Sequence, residues 1–395
     1  MNNKLEKTIN FEVKKLQYRP LGKTGIKASI LGFGAMRLPT SKPDDPTSII
    51  EDEAIKIIRQ GIDGGMNYVD SAYVYHRGKS EVLVGKALKD GYREKVHIMT
   101  KNPVRLVQKT EDYRILLDEE LKRYETDYID VYLFHGLKKD AYEEKVLPLE
   151  LVEQAKEVKK EGLIKHIGLS SHDKPENIIE LLDTGIFEVI LLQYNIIDNS
   201  NVDVIAHAAK KGVGVCVMGP VAGGRLALEP PKELVDCLTP GEETFIDLAF
   251  KHVWSNPNVT VALSGMGNAE MVEKNLALAN AEVVTLTKEQ KDRTKKIDTT
   301  YKQLSDLICT QCGYCEPCEQ EVNITRILKQ LIHWEVYGWD MAKRYYQMIG
   351  NSPIAPGKQA PACIECGDCE EKCPQGIPII EKLKEAHEIL GAIES

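Results

Sequence analysis

Eight short runs rich in β-branched residues alternate with helical patterns along the first three quarters of the sequence. Between these runs, apolar residues recur at intervals of three and four positions, which is typical of amphipathic helices. Eight strand–helix units within about 280 residues predict an α/β fold, the (β/α)8 TIM barrel, because a doubly wound sheet usually has fewer strands and a phosphate-binding glycine loop. The predicted strands are residues 29–36, 67–72, 96–101, 128–136, 166–171, 189–195, 212–220 and 259–266.

Eight of the ten cysteines lie in two runs near the C-terminus. The second run reads C-x2-C-x2-C-x3-C-P, the bacterial iron–sulfur pattern in which three thiolates hold one 4Fe–4S cluster and the fourth binds the other cluster. The first run departs from this pattern, because its last spacing is two residues and Glu319 takes the place of proline. The runs consist of Cys309, Cys312, Cys315 and Cys318, and of Cys363, Cys366, Cys369 and Cys373.

The runs predict two 4Fe–4S clusters. One cluster is assigned to the first three cysteines of the first run with Cys373, and the other to the first three of the second run with Cys318. A structural zinc site is the alternative, but zinc favours two C-x2-C pairs per site and rarely uses runs of four. Thiols in a reducing cytosol favour metal ligation over disulfides. Cys216 and Cys237 lie outside both runs and are predicted to be core residues.

The chain is predicted to divide into four segments. Residues 1–16 form an N-terminal extension, residues 17–295 the barrel, and residues 296–308 a polar linker of helical character. Residues 309–395 are predicted to form a small all-α, two-cluster ferredoxin-like domain, because the stretches between and after the cysteine runs show helical periodicity.

The composition excludes several classes of function. A net charge of −9 argues against a general nucleic-acid binder, which needs a basic face to neutralise phosphates. The N-terminal residues lack the apolar stretch of a signal peptide, and the longest uncharged run is too short and too rich in glycine to span a bilayer. We therefore expect a cytoplasmic protein without a membrane span.

Four polar residues fall at the C-terminal ends of consecutive predicted strands. Asp70 and Tyr75 follow the second strand, Lys101 ends the third, and His135 lies at the end of the fourth. Alone, Asp70 could be a cap, Lys101 a surface charge and His135 a core histidine. Because catalysis in (β/α)8 barrels takes place at the C-terminal face, four such residues in order predict an active site at that rim.

The barrel resembles the aldo-keto reductase family over about residues 17–285. The resemblance rests on these four residues, on the opening YRPLGKTGIKASILGFGAMRLP and on the run DSAYVYHRGKSEVLVGKAL. It implies an oxidoreductase that interconverts a carbonyl and an alcohol, with a small carbonyl or alcohol as substrate. The C-terminal segment, residues 309–395, is called the tail below. It resembles helical ferredoxin-type domains, which implies electron transfer and a redox partner protein.

The resemblance implies a role for each of the four residues. Reduction of a carbonyl leaves charge on its oxygen, so the site has to donate a proton there, and Tyr75 is the implied general acid. A tyrosine with a pKa of about 10 gives up its proton reluctantly, so we expect the Lys101 ammonium to lower the pKa of Tyr75. Asp70 would hold Lys101 in place, and His135 would orient and polarise the carbonyl.

The same resemblance implies a nicotinamide cofactor across this rim. Ser170, Ser171 and Gln193 match residues that hold the nicotinamide carboxamide, and Asn275 matches a residue that contacts adenine. Arg37, at the end of the first predicted strand, is a candidate to hold a pyrophosphate or a substrate carboxylate, with a solvated surface arginine as the alternative.

The sequence departs from the family pattern at three cofactor positions. Met218 stands where a tyrosine usually stacks on the nicotinamide, and Gly265 and Met271 stand where basic residues usually bind the 2′-phosphate of NADP. A phosphate dianion in a neutral pocket lacks a compensating charge. The missing phosphate clamp therefore disfavours NADP and does not exclude NAD, so NAD(P)H is a possible cofactor.

Electron counting adds a further candidate cofactor. A hydride carries two electrons, whereas each 4Fe–4S cluster exchanges one, and a flavin converts between them, so flavin mononucleotide in the barrel or on a docked partner is a candidate. Three hypotheses stay open. In the first, the protein is an oxidoreductase whose clusters exchange electrons with a flavin or a protein partner. In the second, it is an electron-transfer module whose barrel binds a flavin or a partner without catalysis. In the third, it is a conventional reductase whose clusters only stabilise the tail.

Overall fold

Eight parallel strands close into a barrel in the computed structural model, which describes residues 16–42, 45–229, 231–238, 243–352 and 355–392. The described residues contain ten strands, of which β3 to β10 form the barrel: β1 Tyr18–Pro20, β2 Lys27–Ser29, β3 Leu31–Gly34, β4 Tyr68–Asp70, β5 His97–Asn102, β6 Ile129–Phe134, β7 Ile164–Ser170, β8 Val189–Gln193, β9 Gly214–Met218 and β10 Val261–Ser264. Around the barrel the order is β10-β3-β4-β5-β6-β7-β8-β9. This confirms the predicted (β/α)8 barrel. Residues 1–15 of the predicted N-terminal extension lie outside the described residues.

A short antiparallel hairpin, absent from the predicted strands, precedes the barrel. In it β1 pairs with β2, with Tyr18 opposite Ser29. Leu21 follows β1 and is fully buried in the barrel interior, where it lies against Gly214 at the start of β9. The hairpin therefore closes the N-terminal end of the barrel. Three-residue strands are too short to show an alternating pattern in the sequence.

Helices cover the outside of the barrel and form most of the tail. They are α1 Glu51–Asp63, α2 Lys79–Ala87, α3 Asp112–Tyr124, α4 Lys139–Ala141, α5 Leu151–Lys160, α6 Pro175–Asp183, α7 Val202–Lys211, α8 Lys232–Val235, α9 Phe245–Trp254, α10 Ala269–Ala279, α11 Lys288–Leu304, α12 Ile324–Glu335, α13 Met341–Gln347, α14 Asp368–Glu371 and α15 Ile379–Leu390. Short 3-10 turns span Ala35–Arg37, Tyr75–Gly78, Arg93–Lys95, Val104–Leu106, Ala222–Ala227 and Ala360–Ala362, and a π-helix spans Tyr142–Val146. Within the described ranges, no helix is long and apolar enough to cross a membrane.

α11 runs through the predicted boundary between the barrel and the linker. Ile297 and Tyr301 of this helix are buried in the same apolar core as residues of the tail. The segment from 296 to 304 is therefore part of a packed helix. Cys216 and Cys237 are fully buried in the barrel interior and in this second core, which confirms that they are core residues.

The tail packs on the C-terminal face of the barrel. Its helices α12, α13 and α15 contact one another and share one apolar core with loops that follow β8 and β9. From the barrel this core includes Ile196, Ile197 and Leu226, and from the tail it includes Ile327 and Leu331. Because these loops leave the C-terminal ends of strands, the helical tail covers the face where the active site is predicted.

Helices α2 and α3 come close together at Gly85. A β-carbon at this position would lie 2.6 Å from the Arg123 carbonyl oxygen and 2.8 Å from Tyr124 Cα, so one of the two backbones would have to move. We expect Gly85→Ala to lower the free energy of unfolding by about 1–3 kcal/mol, although alanine is the better helix former. The measurement is the midpoint of thermal unfolding followed by circular dichroism.

Gly61→Ala in α1 is the matched control. The nearest atom to a β-carbon there is the sulfur of Met66, at 3.1 Å, and a methionine side chain adapts easily. We expect Gly61→Ala to unfold at the parental temperature or above it. Equal midpoints for the two variants would contradict the close packing of α2 on α3.

Candidate active site and cluster sites

A buried ion pair stands at the centre of the rim. β4 ends at Asp70 and the neighbouring strand β5 carries Lys101, so the parallel pairing brings the two side chains together. Lys101 Nζ donates to Asp70 Oδ1 and to the Ser71 carbonyl oxygen, both at 2.6 Å, and lies 3.4 Å from the Tyr75 hydroxyl oxygen. Asp70 is 4% exposed and Lys101 is 1% exposed. Removal of either partner would leave an uncompensated buried charge.

The loop that presents Tyr75 has a left-handed backbone. His76 has a φ of 51° and Arg77 a φ of 53°, a conformation that persists only where the surroundings fix it. His76 Nδ1 donates to the Pro46 carbonyl oxygen at 2.6 Å, and the Leu38 amide donates to His76 Nε2 at 3.3 Å. These bonds require a neutral imidazole, and burial lowers the pKa of His76 in agreement. These two hydrogen bonds therefore fix the conformation of the loop and the position of Tyr75.

The pKa of Tyr75 is shifted up and not down, in contrast to the expected lowering. Burial raises the pKa of Tyr75 well above its usual value, and the Asp70 carboxylate raises it further. The Lys101 ammonium does not reverse this shift, because Asp70 at 2.6 Å already neutralises it. Tyr75 therefore stays a protonated phenol at neutral and moderately alkaline pH, which suits a proton donor.

His135 lies directly after β6, and its ring faces Tyr75. The two ring centroids are 6.1 Å apart, with an interplanar angle of 85°. The His135 amide donates to the Asn102 carbonyl oxygen at 3.0 Å, which ties the end of β6 to the end of β5. Desolvation lowers the pKa of His135 well below its usual value, and the cations Lys101 and Arg105 lower it further. The imidazole is therefore neutral and carries one N–H.

One member of this group comes from the tail and is absent from the sequence-based prediction. Tyr314 lies between Cys312 and Cys315, and its hydroxyl oxygen is 3.1 Å from His135 Nε2. It is also close enough to Tyr75 to offset in part the rise that burial causes in the pKa of Tyr75. The sequence shows only an aromatic residue between two cysteines, and its role depends on where the tail packs.

The first thiol group combines the two cysteine runs. Burial raises the pKa of Cys309 to about 11, and the neighbouring Cys312 and Cys373 add to the rise. Burial also raises the pKa of Cys315, and Cys312 and Cys309 are again among its neighbours. The first three cysteines of the first run therefore stand together with Cys373, the last cysteine of the second run.

A cavity marks the second thiol group. Apolar side chains such as Val322, Ile324 and Leu383 form part of its wall. It is lined by the four cysteines of the second group, Cys318, Cys363, Cys366 and Cys369, and also by Cys315 of the first group. In the part of the chain that the structure describes, no three His, Cys, Asp or Glu side chains converge to hold a single metal ion. Thiolates of a 4Fe–4S cluster bind different iron atoms and stand farther apart than the ligands of one ion, so both thiol groups fit such clusters.

Comparison with known proteins decides the family. The model of the aldo/keto reductase family matches residues 30–299, more than half of the chain. The chain belongs to the aldo/keto reductase family. A model of 4Fe-4S dicluster domains matches residues 308–377, so the tail of this aldo/keto reductase is a 4Fe–4S dicluster domain. Both resemblances inferred from the sequence are confirmed.

Relatives of this aldo/keto reductase are oxidoreductases. L-galactose dehydrogenase of Arabidopsis thaliana is 27% identical over 287 residues, 67% of this chain and 88% of that protein. The uncharacterized oxidoreductase YqkF of Bacillus subtilis (strain 168) is 27% identical over 301 residues, 68% of this chain and 93% of that protein. The holo form of aldo-keto reductase AKR11C1 from Bacillus halodurans has a TM-score of 0.61 at 29% identity, covering 71% of this chain and 96% of that chain. The protein is an oxidoreductase of this family.

In this aldo/keto reductase the predicted nicotinamide residues already have partners. The Gly136 amide donates to Ser170 Oγ at 2.9 Å, and Ser171 Oγ donates to the Leu137 carbonyl oxygen at 2.7 Å. Both hydroxyls therefore hold the loop that follows β6. The third residue, Gln193, ends β8 and is 6% exposed.

The tail reaches Gln193 through Gln375, which follows the second cysteine run. Gln193 Nε2 donates to Gln375 Oε1 at 3.0 Å and to Asp198 Oδ2 at 2.6 Å. In return, Gln375 Nε2 lies 3.3 Å from Gln193 Oε1 and 3.2 Å from His172 Nδ1. A side-chain amide of the tail therefore stands where the family resemblance implies the nicotinamide carboxamide.

Arg37 is directed to the first cysteine run. Its Nη2 donates to the Thr310 carbonyl oxygen at 2.6 Å. Its aliphatic part lies against Gly265, because a β-carbon there would be 3.1 Å from Arg37 Cβ. Partial burial lowers the pKa of Arg37, and the nearby Cys312 and Cys309 oppose that shift. Arg37 thus joins the rim to the tail, which neither of its predicted roles includes.

The remaining predicted cofactor positions lie apart from the tail contacts. Asn275 in α10 is buried and donates to Ser264 Oγ at 3.0 Å. Met218 ends β9 and is partly exposed, and Met271 in α10 is 40% exposed. Lys274, the lysine nearest in sequence to Met271, forms an ion pair with Glu270 within α10.

Anaerobically purified protein is expected to contain about eight iron atoms per chain, four in each cluster. Cys373→Ala removes the fourth thiolate of the first group and Cys318→Ala that of the second, so we expect each variant to retain about half of the iron. Iron and sulfide analysis makes the measurement. Cys216→Ala, in the barrel interior, is the control and should keep the full content. Stoichiometric zinc without iron would contradict the assignment.

Proposed function

We propose that the barrel interconverts a carbonyl and an alcohol, and that the clusters of the tail exchange electrons during this reaction with a flavin or a redox partner protein. The observation that carries the proposal is the contact between Tyr314 and His135, 3.1 Å from hydroxyl oxygen to Nε2. Through it, the first cysteine run lies directly against His135 and Tyr75. A cluster bound by Cys312 and Cys315 would therefore lie close to His135 and Tyr75, and it would exchange one electron at a time.

The rim side chains support acid-assisted reduction. A carbonyl oxygen between Tyr75 and His135 would accept a hydrogen bond from each, because Tyr75 is protonated and the neutral imidazole carries one N–H. Tyr75 would give its proton to the oxygen as the carbonyl carbon takes up a hydride from the reduced flavin or nicotinamide donor. The Lys101 ammonium, 3.4 Å away, would stabilise the phenolate left behind, and Asp70 would keep the ammonium in position.

The thiol groups support redox-active clusters. When bound, a 4Fe–4S cluster supplies or accepts one electron, and nearby charge sets its potential. Two cations, Arg37 and Arg225, lie near Cys309 or Cys312 of the first group. Their positive charge would favour the reduced, more negative state of a cluster bound there.

Electron entry through the tail is favoured over a nicotinamide bound at the rim. A nicotinamide carboxamide beside Gln193 would have to displace Gln375, which pairs with Gln193 at 3.0 Å. Gly265 and Met271 supply no positive charge for the 2′-phosphate of NADP, so of the two nicotinamide cofactors NAD would fit better. Flavin mononucleotide, in the barrel or on a partner, is the proposed converter between two-electron and one-electron steps.

A conventional reductase with purely structural clusters is the second candidate. Cys309, Cys369 and Cys373 are buried in the apolar core that the tail shares with the barrel. Iron–thiolate bonds would therefore also hold that core together, as metals do in small domains that bury little surface.

Tyr75→Phe is expected to lower the rate of carbonyl reduction by about 10²- to 10⁴-fold, because the ring stays and only the proton donor is lost. The measurement is alcohol formation from a panel of aldehydes and ketones, under each electron donor tested. Tyr73→Phe is the matched control, since the Tyr73 hydroxyl donates to Glu119 at 2.8 Å outside the site. Unchanged turnover of Tyr75→Phe would show that the reaction takes place elsewhere.

Cluster oxidation state separates the two candidates. We expect the electron paramagnetic resonance signal of the reduced clusters to decay when a carbonyl substrate is added anaerobically and to return with a reductant. NADH and NADPH are tested as donors, each with and without flavin mononucleotide. A signal that stays fixed while alcohol forms at the normal rate would favour structural clusters and contradict electron exchange.

A further inference from the structure

The Tyr314 hydroxyl stands where two other groups of the rim converge. It lies 3.1 Å from His135 Nε2, and it is close enough to Tyr75 to influence the pKa of that phenol. Under the proposed function, these are the two groups that hold the carbonyl oxygen of the substrate. A residue of the cluster domain therefore contacts one of them and lies near the other.

One position cannot hold two oxygen atoms. A carbonyl oxygen that accepts from both Tyr75 and His135 has to lie within about 3 Å of each donor. The Tyr314 oxygen already lies at this distance from His135 Nε2, on the side of the ring that faces the tail. We infer that the Tyr314 hydroxyl is an internal occupant of the substrate-oxygen site, and that a carbonyl binds there only when the Tyr314 side chain moves away. The inference rests on the proposed function, because it uses the roles proposed for Tyr75 and His135.

The side chain can move while the tail stays in place. Gly313, which precedes Tyr314, has a φ of 76°, and among the described residues a β-carbon there would have open space around it. Tyr314 itself is only partly buried. The backbone on the other side of Cys312 is held by Arg37, which donates to the Thr310 carbonyl oxygen at 2.6 Å. Movement is therefore confined to a short segment of the cysteine run.

Displacement of Tyr314 also affects the first thiol group. Tyr314 lies between Cys312 and Cys315, so its movement changes the loop that carries both thiolates. Binding of a carbonyl and the environment of the first cluster are then linked, and such linkage acts in both directions. Tyr314 thus competes with the substrate, and its displacement couples substrate binding to the first cluster site of the tail.

The test compares the affinity of the cluster-loaded protein for a carbonyl with that of two variants. Benzaldehyde, pyruvate and glyceraldehyde are titrated by calorimetry into oxidised protein without a reductant, so no turnover occurs. Tyr314→Phe is expected to bind at least one of them about two- to tenfold more tightly, the range that one net hydrogen bond gives. Tyr314→Ala should show a gain at least as large, because it also removes the ring.

Tyr337→Phe is the matched control. The Tyr337 hydroxyl donates to the Arg225 carbonyl oxygen at 2.8 Å, so this variant also loses a contact between tail and barrel. This contact does not involve Asp70, Tyr75, Lys101 or His135. Its affinity should equal that of the parent. Iron content and optical spectra equal to the parent confirm that each variant keeps its clusters.

Two outcomes would overturn the inference. Equal affinity of the parent and both Tyr314 variants would show that the hydroxyl does not compete, and weaker binding by Tyr314→Phe would show that it assists the substrate. If carbonyl reduction still depends on Tyr75 in either case, the proposed function stands and only the inference fails. If no carbonyl binds or is reduced under any donor, the proposed function fails and the inference fails with it.

Discussion

Burial of apolar surface between the barrel rim and the tail is the constraint on which the other contacts depend. A segment of the tail's size buries a smaller share of its surface than a larger domain does, and here its helices share a core with loops that follow β8 and β9. Leu226 of the rim and Leu331 of the tail are both fully buried in this core. Because it determines how the tail sits, it also determines where Tyr314, Gln375 and Thr310 meet the barrel.

The rim combines two electrostatic environments side by side. In the first, the Lys101 charge is neutralised by Asp70, and Tyr75 and His135 are uncharged at neutral pH, which makes a neutral pocket of hydrogen-bond donors. In the second, arginine side chains lie beside the thiols of the first group. Tyr314 belongs to both, since its backbone lies in the cysteine run and its hydroxyl in the neutral pocket. A neutral pocket suits an oxygen that acquires charge only during the reaction.

The sequence predicts what depends on local periodicity and misses what depends on packing between distant segments. Eight strand–helix units leave few alternatives to a barrel, and strand ends identify Asp70 and Lys101 as neighbours. The direction of the pKa shift of Tyr75 could not be predicted, because it depends on how deeply the phenol is buried. Tyr314 and Gln375 could not be found either. Their partners lie 179 and 182 positions earlier, and only the packing of the tail brings them together.

The grouping of Cys373 with Cys309 and Cys312 has a consequence for biosynthesis. A ribosome releases the barrel strands first, then the first cysteine run, and Cys373 only after helices α12 and α13. The first thiol group therefore remains incomplete while the barrel folds, and the rim stays uncovered during that time. Completion of this group has to follow translation of the second run, so the covering of the rim depends on a segment that is made after the barrel and the first run.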